Sequence, residues 1–196
     1  PKELQHKFFL AKPCLADTIV TGGKQVIDQL PLEVLSLAGH SPEQIGVASG
    51  DTLFAGDAFL TPDILDKHRI PFYTDIATGL TTLDMLKQRV SAFAHIVAGH
   101  GEIYTSPARA IEAIEYAQQR LEDILEQTRA ALAYGEGRQV GDVLRAVAEA
   151  QRAAITSLSQ HVLYTTTVQA ALSALYARGE VQPVFVNNYL LWQRQQ

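Results

Sequence analysis

The chain has 196 residues, of which 47% are hydrophobic and 19% charged, so it can bury a substantial core. Its formal net charge of −5 argues against non-specific nucleic-acid binding. The sequence contains no run of about 20 apolar residues, so we expect no membrane span. The chain has one cysteine, Cys14, so no intramolecular disulfide is possible and we expect a reducing compartment, the cytoplasm. We expect Cys14 itself to be a small buried hydrophobic residue. Because the chain begins with Pro1, we expect a fragment or a processed product.

Short apolar runs separated by turn residues predict consecutive β-strands between Asp17 and Leu60. We place turns at Gly22-Gly23 and at Gly50-Asp51, where a hairpin needs positive φ or an Asx turn. The predicted strands cover residues 18–20, 26–30, 32–37, 45–48 and 53–55.

The apolar pattern changes after Asp57 from a strand period to a helical one. Thr61-Pro62-Asp63 is typical of a helix start, and apolar spacing predicts a further helix over residues 80–90. A strand over residues 95–98 then ends at Gly99-His100-Gly101. This alternation of strand and helix predicts an α/β layered domain.

The last 91 residues are predicted to be mostly helical and to end in a hairpin. Ser106-Pro107 supplies an N-cap and a proline at the first helical position, Gly179 ends the last helix, and Asn187-Asn188 forms the hairpin turn. The predicted helices cover about residues 106–133, 140–157 and 165–178, and the predicted strands residues 181–186 and 189–192. We therefore predict a winged-helix-like domain over 106–196 after an α/β domain over 1–105.

Three residues combine metal-ligand chemistry with the same local setting. They are His40 in AGHSPEQIG, Asp57 in LFAGDAF and His100 in IVAGHG, and each follows an apolar strand beside a glycine. Two neutral imidazoles and one carboxylate are ligands that zinc prefers and that iron or manganese also accept. A carboxylate can bridge two ions, so a metal site is predicted at the rim of the sheet.

The remaining histidines lack this setting and are expected to be structural or superficial: His6, His68, His95 and His161. Tyr73, Asp75 and Thr78 lie in a loop region that either contacts substrate or serves the loop itself, and the sequence leaves both interpretations open.

The three segments resemble the T-P-G-H-[ST]-x-x-x-[IV]-G, L-F-x-G-D and P-G-H-G segments of the metallo-β-lactamase superfamily. Their ligands are 17 and 43 residues apart, and the resemblance covers about Asp17 to Tyr104. It implies an α/β (α+β) chain that forms the C-terminal half of an αββα sandwich. It also implies two zinc ions, with iron or manganese as alternatives: His40 ligates the first metal, Asp57 bridges the pair as the catalytic residue, and His100 ligates the second.

The G-D segment at Asp57 resembles glyoxalase-II-like and nuclease-like hydrolases more than antibiotic-hydrolysing zinc β-lactamases, which commonly have cysteine there. The tail segment TVQAALSALYARGEVQPVFVNNYLLW is similar to the winged-helix-like tail of β-lactamase-like hydrolases. The resemblance thus implies a metal-dependent hydrolase, in which a metal-bound hydroxide attacks an ester, a thioester or a phosphodiester.

One family signature, H-x-H-x-D-H, occurs nowhere in these residues and is expected upstream. The chain alone is therefore predicted to be inactive. Its expected partners are a small-molecule substrate, the missing N-terminal half of the domain and further copies of itself, but neither nucleic acid nor membrane. Two alternatives stay open: a non-catalytic interaction module that uses the winged-helix tail, and an RNA-processing nuclease, which the acidic balance disfavours.

Overall fold

The computed structural model describes Leu15 and residues 18–195, so the expectations for His6 and Cys14 lie outside the described residues. The first half of the described residues contains a mixed sheet of six strands. The strands lie side by side in chain order: β1 (Gly23–Ile27), β2 (Leu30–Ser36), β3 (Ile45–Ser49), β4 (Thr52–Gly56), β5 (His95–Ala98) and β6 (Ile103–Tyr104).

The first hairpin differs from the prediction. Gly23 already pairs with Val34 in the ladder, and the turn between β1 and β2 is Asp28-Gln29, whose φ angles are 50° and 69°. Two successive left-handed residues give a two-residue hairpin its twist, so the polar pair forms the turn that we assigned to the glycine pair. Residues 18–20 are not a strand, whereas the predicted turn at Gly50-Asp51 is confirmed between β3 and β4.

Three strands of the sheet run in the same direction. The β2–β3 and β3–β4 pairs are antiparallel and the β4–β5 pair is parallel, so β2, β4 and β5 share one direction. Their carboxyl ends therefore meet at one edge of the sheet, and the loops that follow them lie side by side.

Five helices and a second, two-stranded sheet complete the described chain: α1 (Pro62–His68), α2 (Ile76–Arg89), α3 (Pro107–Ala130), α4 (Val140–Ala150), α5 (Leu158–Ala177), β7 (Val181–Val186) and β8 (Tyr189–Arg194). A short 3-10 turn follows α2. None of these five helices has the length and apolarity that crossing a membrane requires.

The boundary between α4 and α5 differs from the predicted one. Helix α4 ends at Ala150 because Arg152 adopts a left-handed conformation with φ 54°, and Ala153 N donates back to Ala148 O at 2.8 Å. Helix α5 begins seven residues earlier than predicted, at Leu158, where the Ser157 hydroxyl accepts from Gln160 N at 3.2 Å.

One continuous core joins the sheet to the helices. Leu53, Ile96 and Tyr104 lie in one cross-strand row and pack, on the same face of the sheet, into a cluster that extends through α3 to α5. The opposite face carries Val47, Phe54, Val97 and Ile103, of which Phe54 is 49% and Ile103 59% exposed. The division at residue 105 and the winged-helix character of the tail stay predictions.

Candidate metal centre

The three predicted ligands lie together at the carboxyl edge of the sheet. His40 follows β2, Asp57 follows β4 and His100 follows β5, so each belongs to a loop that leaves one of the three co-directional strands. This placement is what the strand-then-glycine pattern predicts.

Both imidazoles face the same carboxylate from different sides. His40 Nε2 lies 3.8 Å from Asp57 Oδ2, and His100 Nε2 lies 3.7 Å from Asp57 Oδ1. Each separation is too long for a hydrogen bond and close to the spacing of two donors on one ion. Two bonds of about 2.1 Å at a tetrahedral angle would separate nitrogen and oxygen by about 3.4 Å.

An unpartnered oxygen agrees with this geometry. Asp57 Oδ1 is buried and has no hydrogen-bond partner. A buried carboxylate oxygen without a partner is costly unless another group satisfies it, and a divalent cation is such a group. The donor types and positions of the three residues are therefore compatible with a divalent cation.

The described chain contributes only part of such a site. Each ion position would receive one imidazole and one carboxylate oxygen, and within the described residues no group of three or more His, Cys, Asp or Glu side chains could hold an ion. Zinc in proteins takes at least three protein ligands. The roles of His40, Asp57 and His100 as ligands stay a prediction.

The loops of β4 and β5 are joined directly beside the Asp57 carboxylate. Gly99 N donates to Gly56 O at 2.7 Å, and a Cβ on Gly99 would overlap Asp57 Oδ1. Only glycine leaves room here for the carboxylate to face His100.

Gln44 holds the backbone of the Asp57 loop. With its amide oriented so that the oxygen faces two N–H groups, Gln44 Oε1 accepts from Asp57 N at 3.0 Å and from Ala58 N at 2.6 Å. Sequence reasoning missed this contact. Gln44 lies in the His40 segment, so it links the segments of two candidate ligands.

His40 lies in an aromatic enclosure. Its ring meets those of Phe72 and Tyr73 edge to face, with centroids 5.2 Å and 5.8 Å away. Burial lowers the pKa of His40 below 6.5 and His100 adds to this, while the Asp57 charge and the Phe72 backbone oppose it. The neutral imidazole, the form that ligates metals, is thereby favoured.

His100 lies in a more open setting than His40. Its side chain is 63% exposed, against 20% for His40. A groove of about 630 Å³ is lined by Pro62, Asp63, Gly101, Glu102 and Arg109. Neither His100 nor Asp57 is among the residues that line this groove.

Asp75, Thr78 and Tyr73 all make contacts that stabilise the loop and the start of α2. Asp75 caps α2 by accepting from Thr78 N at 3.0 Å and from its hydroxyl at 2.7 Å. Tyr73 is buried and donates its hydroxyl to Ala58 O at 3.0 Å. Burial and the charge of Asp57 raise the Tyr73 pKa, so this donor stays protonated.

The other described histidines lie away from the three ligands. His68 closes α1 and its carbonyl faces the Tyr164 hydroxyl, while His161 lies on an exposed part of α5. His95 begins β5, and its Nδ1 is 3.8 Å from Asp51 Oδ1 at the other end of the strands.

Comparison with known proteins identifies related folds. No family model matches the chain, and no curated protein matches it in sequence. Among solved structures, a β-lactamase domain protein from Burkholderia ambifaria superposes with a TM-score of 0.71 and 18% identity, over 94% of this chain and 54% of that one. A metallo-β-lactamase family protein from Thermus thermophilus gives a TM-score of 0.69 and 16% identity, over 93% and 56%.

Both superpositions cover more than nine-tenths of this chain, so they include the helical tail as well as the sheet. The chain spans about half the length of each structure. At these identities the likeness establishes the architecture, and it confirms the predicted fold class: the chain has the fold of the metallo-β-lactamase superfamily.

Proposed function

We propose that this chain supplies part of a dinuclear divalent-metal site in a hydrolase. One observation carries the proposal: His40 and His100 approach different oxygens of the same carboxylate, Asp57, at 3.8 Å and 3.7 Å. A carboxylate that bridges two ions through its two oxygens would have this arrangement.

The residues of the chain divide the work as follows. Asp57, His40 and His100 would hold the ions, with Asp57 as the shared carboxylate that also orients the attacking water and the two imidazoles as neutral donors. When bound, the ions would lower the pKa of water and polarise the substrate oxygen. Phe72 and Tyr73 would keep water away from the back of His40, and the more exposed His100 side would admit the substrate.

Zinc is the proposed metal, with iron or manganese as alternatives, because two imidazoles and a carboxylate suit all three. The proposed substrates are esters, thioesters or phosphodiesters. All present an electrophilic carbon or phosphorus and an oxygen that a cation can polarise.

The missing ligands are proposed to come from the rest of the protein, because each ion position has two donors and the solved relatives are nearly twice as long. The exposed apolar face around Phe54 and Ile103 would pack against that part. We therefore expect the chain alone to be inactive and to associate in solution. Sedimentation showing a monodisperse monomer would contradict the second expectation, and hydrolysis by the isolated chain the first.

Metal analysis of the full-length protein tests the proposal, with Asp57→Asn and Asp51→Asn as matched variants. Asp51 also has a histidine nitrogen 3.8 Å from its carboxylate, but lies at the opposite edge of the sheet. We expect about two ions per wild-type or Asp51→Asn chain, fewer for Asp57→Asn, and a parallel loss of hydrolysis across a panel of thioester, lactone and phosphodiester substrates. Equal metal content in all three proteins would refute the proposal.

A further inference from the structure

Helix α5 reaches from the tail to the loop that encloses His40. Thr167 is fully buried in α5, and its hydroxyl donates to Pro71 O at 2.7 Å and accepts from Tyr73 N at 3.2 Å. A third contact, to Leu163 O at 3.2 Å, is longer than the bond to Pro71 O, which therefore receives the single hydroxyl proton. One side chain thus satisfies two backbone groups of residues 71–75.

The same loop holds the His40 segment. Thr74 N donates to the carbonyl oxygens of Gly39 and His40 at 3.0 Å and 3.3 Å, and the Thr74 hydroxyl contacts the same two oxygens. The rings of Phe72 and Tyr73 contact the His40 imidazole. The loop therefore sets both the backbone and the ring of His40.

It also holds the Asp57 segment, since the Tyr73 hydroxyl donates to Ala58 O at 3.0 Å. Tyr73 is buried against α2, where a Cβ on Gly79 would fall within 3.0 Å of its ring. The ring has little freedom to move in so tight a site, so a shift at its backbone nitrogen is passed to its neighbours.

We propose that Thr167 positions His40 against Asp57 through the loop of residues 71–75, which makes helix α5 part of the construction of the site. The effect of this positioning on metal binding and hydrolysis rests on the proposed function. Without the hydroxyl, Pro71 O and Tyr73 N would be left unpaired in a buried place, and the loop would have to shift to satisfy them.

A buried threonine elsewhere in the tail offers a matched control. Thr128 in α3 is also fully buried, but its hydroxyl has no hydrogen-bond partner. Thr128→Val and Thr167→Val make the same chemical change in equally buried places, and only the second removes hydrogen bonds. Thr167→Ser keeps the hydroxyl and is the rescue variant.

Two readouts on the full-length protein separate the inference from the proposed function. NMR of the metal-free protein follows the imidazole nitrogens of His40, and titration with Zn²⁺ or Co²⁺ follows affinity and the Co²⁺ absorption spectrum. We expect Thr167→Val to shift the His40 signals, to lower metal affinity about tenfold and to alter the spectrum, and Thr167→Ser and Thr128→Val to resemble the wild type.

Unchanged His40 signals in Thr167→Val would overturn the inference, whether or not metal binds. Shifted signals in a protein that binds neither ion would support the positioning and refute the proposed function. If Thr167→Val does not fold, Thr167→Ala, which removes the same hydroxyl, replaces it, and unchanged His40 signals in that variant would likewise overturn the inference.

Discussion

Two histidine–aspartate pairs lie at opposite edges of the same sheet. At the carboxyl edge, His40 Nε2 is 3.8 Å from Asp57, and at the other, His95 Nδ1 is 3.8 Å from Asp51. The separations are equal, but the settings differ. The Asp57 side chain is 32% exposed and meets a second imidazole, whereas Asp51 is 69% exposed and has one.

The comparison shows that proximity of a histidine to an aspartate does not make a site. Asp51 is the turn residue that the sequence predicts: its carboxylate contacts the Thr52 hydroxyl, and its carbonyl accepts from Ala94 N and His95 N. Because the Asp51 carboxylate is exposed, water can supply its hydrogen bonds and it needs no cation. Asp57 instead has a buried oxygen without a partner and is surrounded by loops that hold its backbone.

Exchanging each histidine for alanine should separate the two edges most strongly. We expect His40→Ala to lower metal affinity by more than about 100-fold, because it removes a candidate ligand itself. Loss of a residue that only hydrogen-bonds to a ligand already costs about 10–100-fold in affinity. His95→Ala should leave metal content and hydrolysis unchanged. Calorimetric titration of the full-length proteins with Zn²⁺ measures both affinities, and a comparable loss in the two variants would remove the distinction between the edges.

Two glycines allow a second contrast. Alanine at Gly99 would place its Cβ against Asp57 Oδ1 and the Gly56 backbone, so we expect metal binding to fall while the fold is retained. Gly50 has φ 60° with no atom within 4 Å of the added Cβ, so Gly50→Ala should cost about 1–2 kcal/mol of unfolding free energy and leave metal binding intact.

Urea unfolding monitored by circular dichroism measures the free energies of unfolding of the two variants, and elemental analysis measures how much metal each one binds. Normal metal binding by Gly99→Ala would show that the carboxylate does not need its observed position.

The sequence predicts that the three candidate ligands lie together better than it predicts the element boundaries around them. Glycine after an apolar strand marked His40, Asp57 and His100, because a strand end and a turn are local features. Two errors lie where a residue other than glycine takes the left-handed conformation, at Asp28-Gln29 and at Arg152. A third is the start of α5, which follows the Ser157 cap rather than the apolar pattern.

The supports of the site could not be predicted from the sequence for a different reason. Thr167 and Tyr73 are 94 residues apart, and Gln44 meets the Asp57 loop only after β3 and β4 have paired. Threonine inside an apolar helix and glutamine inside a loop are common, so neither carries a local signal. Their roles depend on packing.

Gln44 provides the smallest and most specific contrast. Gln44→Leu removes the acceptor of the Asp57 amide and the nearer of two acceptors of the Ala58 amide, which also donates to Ala55 O at 3.3 Å. The change should cost about 1–3 kcal/mol of unfolding free energy and speed hydrogen exchange, most of all at Asp57. Metal affinity should fall by roughly tenfold, as for the loss of a group that orients a ligand.

Gln118→Leu is the matched control, since Gln118 is similarly half-buried and its amide bonds Lys87 and Asp84 on the helical side of the molecule. It should change stability slightly and leave exchange at Asp57 and Ala58 as in the wild type. If the two variants affect these amides equally, the Gln44 contact is not what holds the Asp57 loop, and its order would come from other contacts, such as the Gly99 N to Gly56 O and Tyr73 hydroxyl to Ala58 O hydrogen bonds.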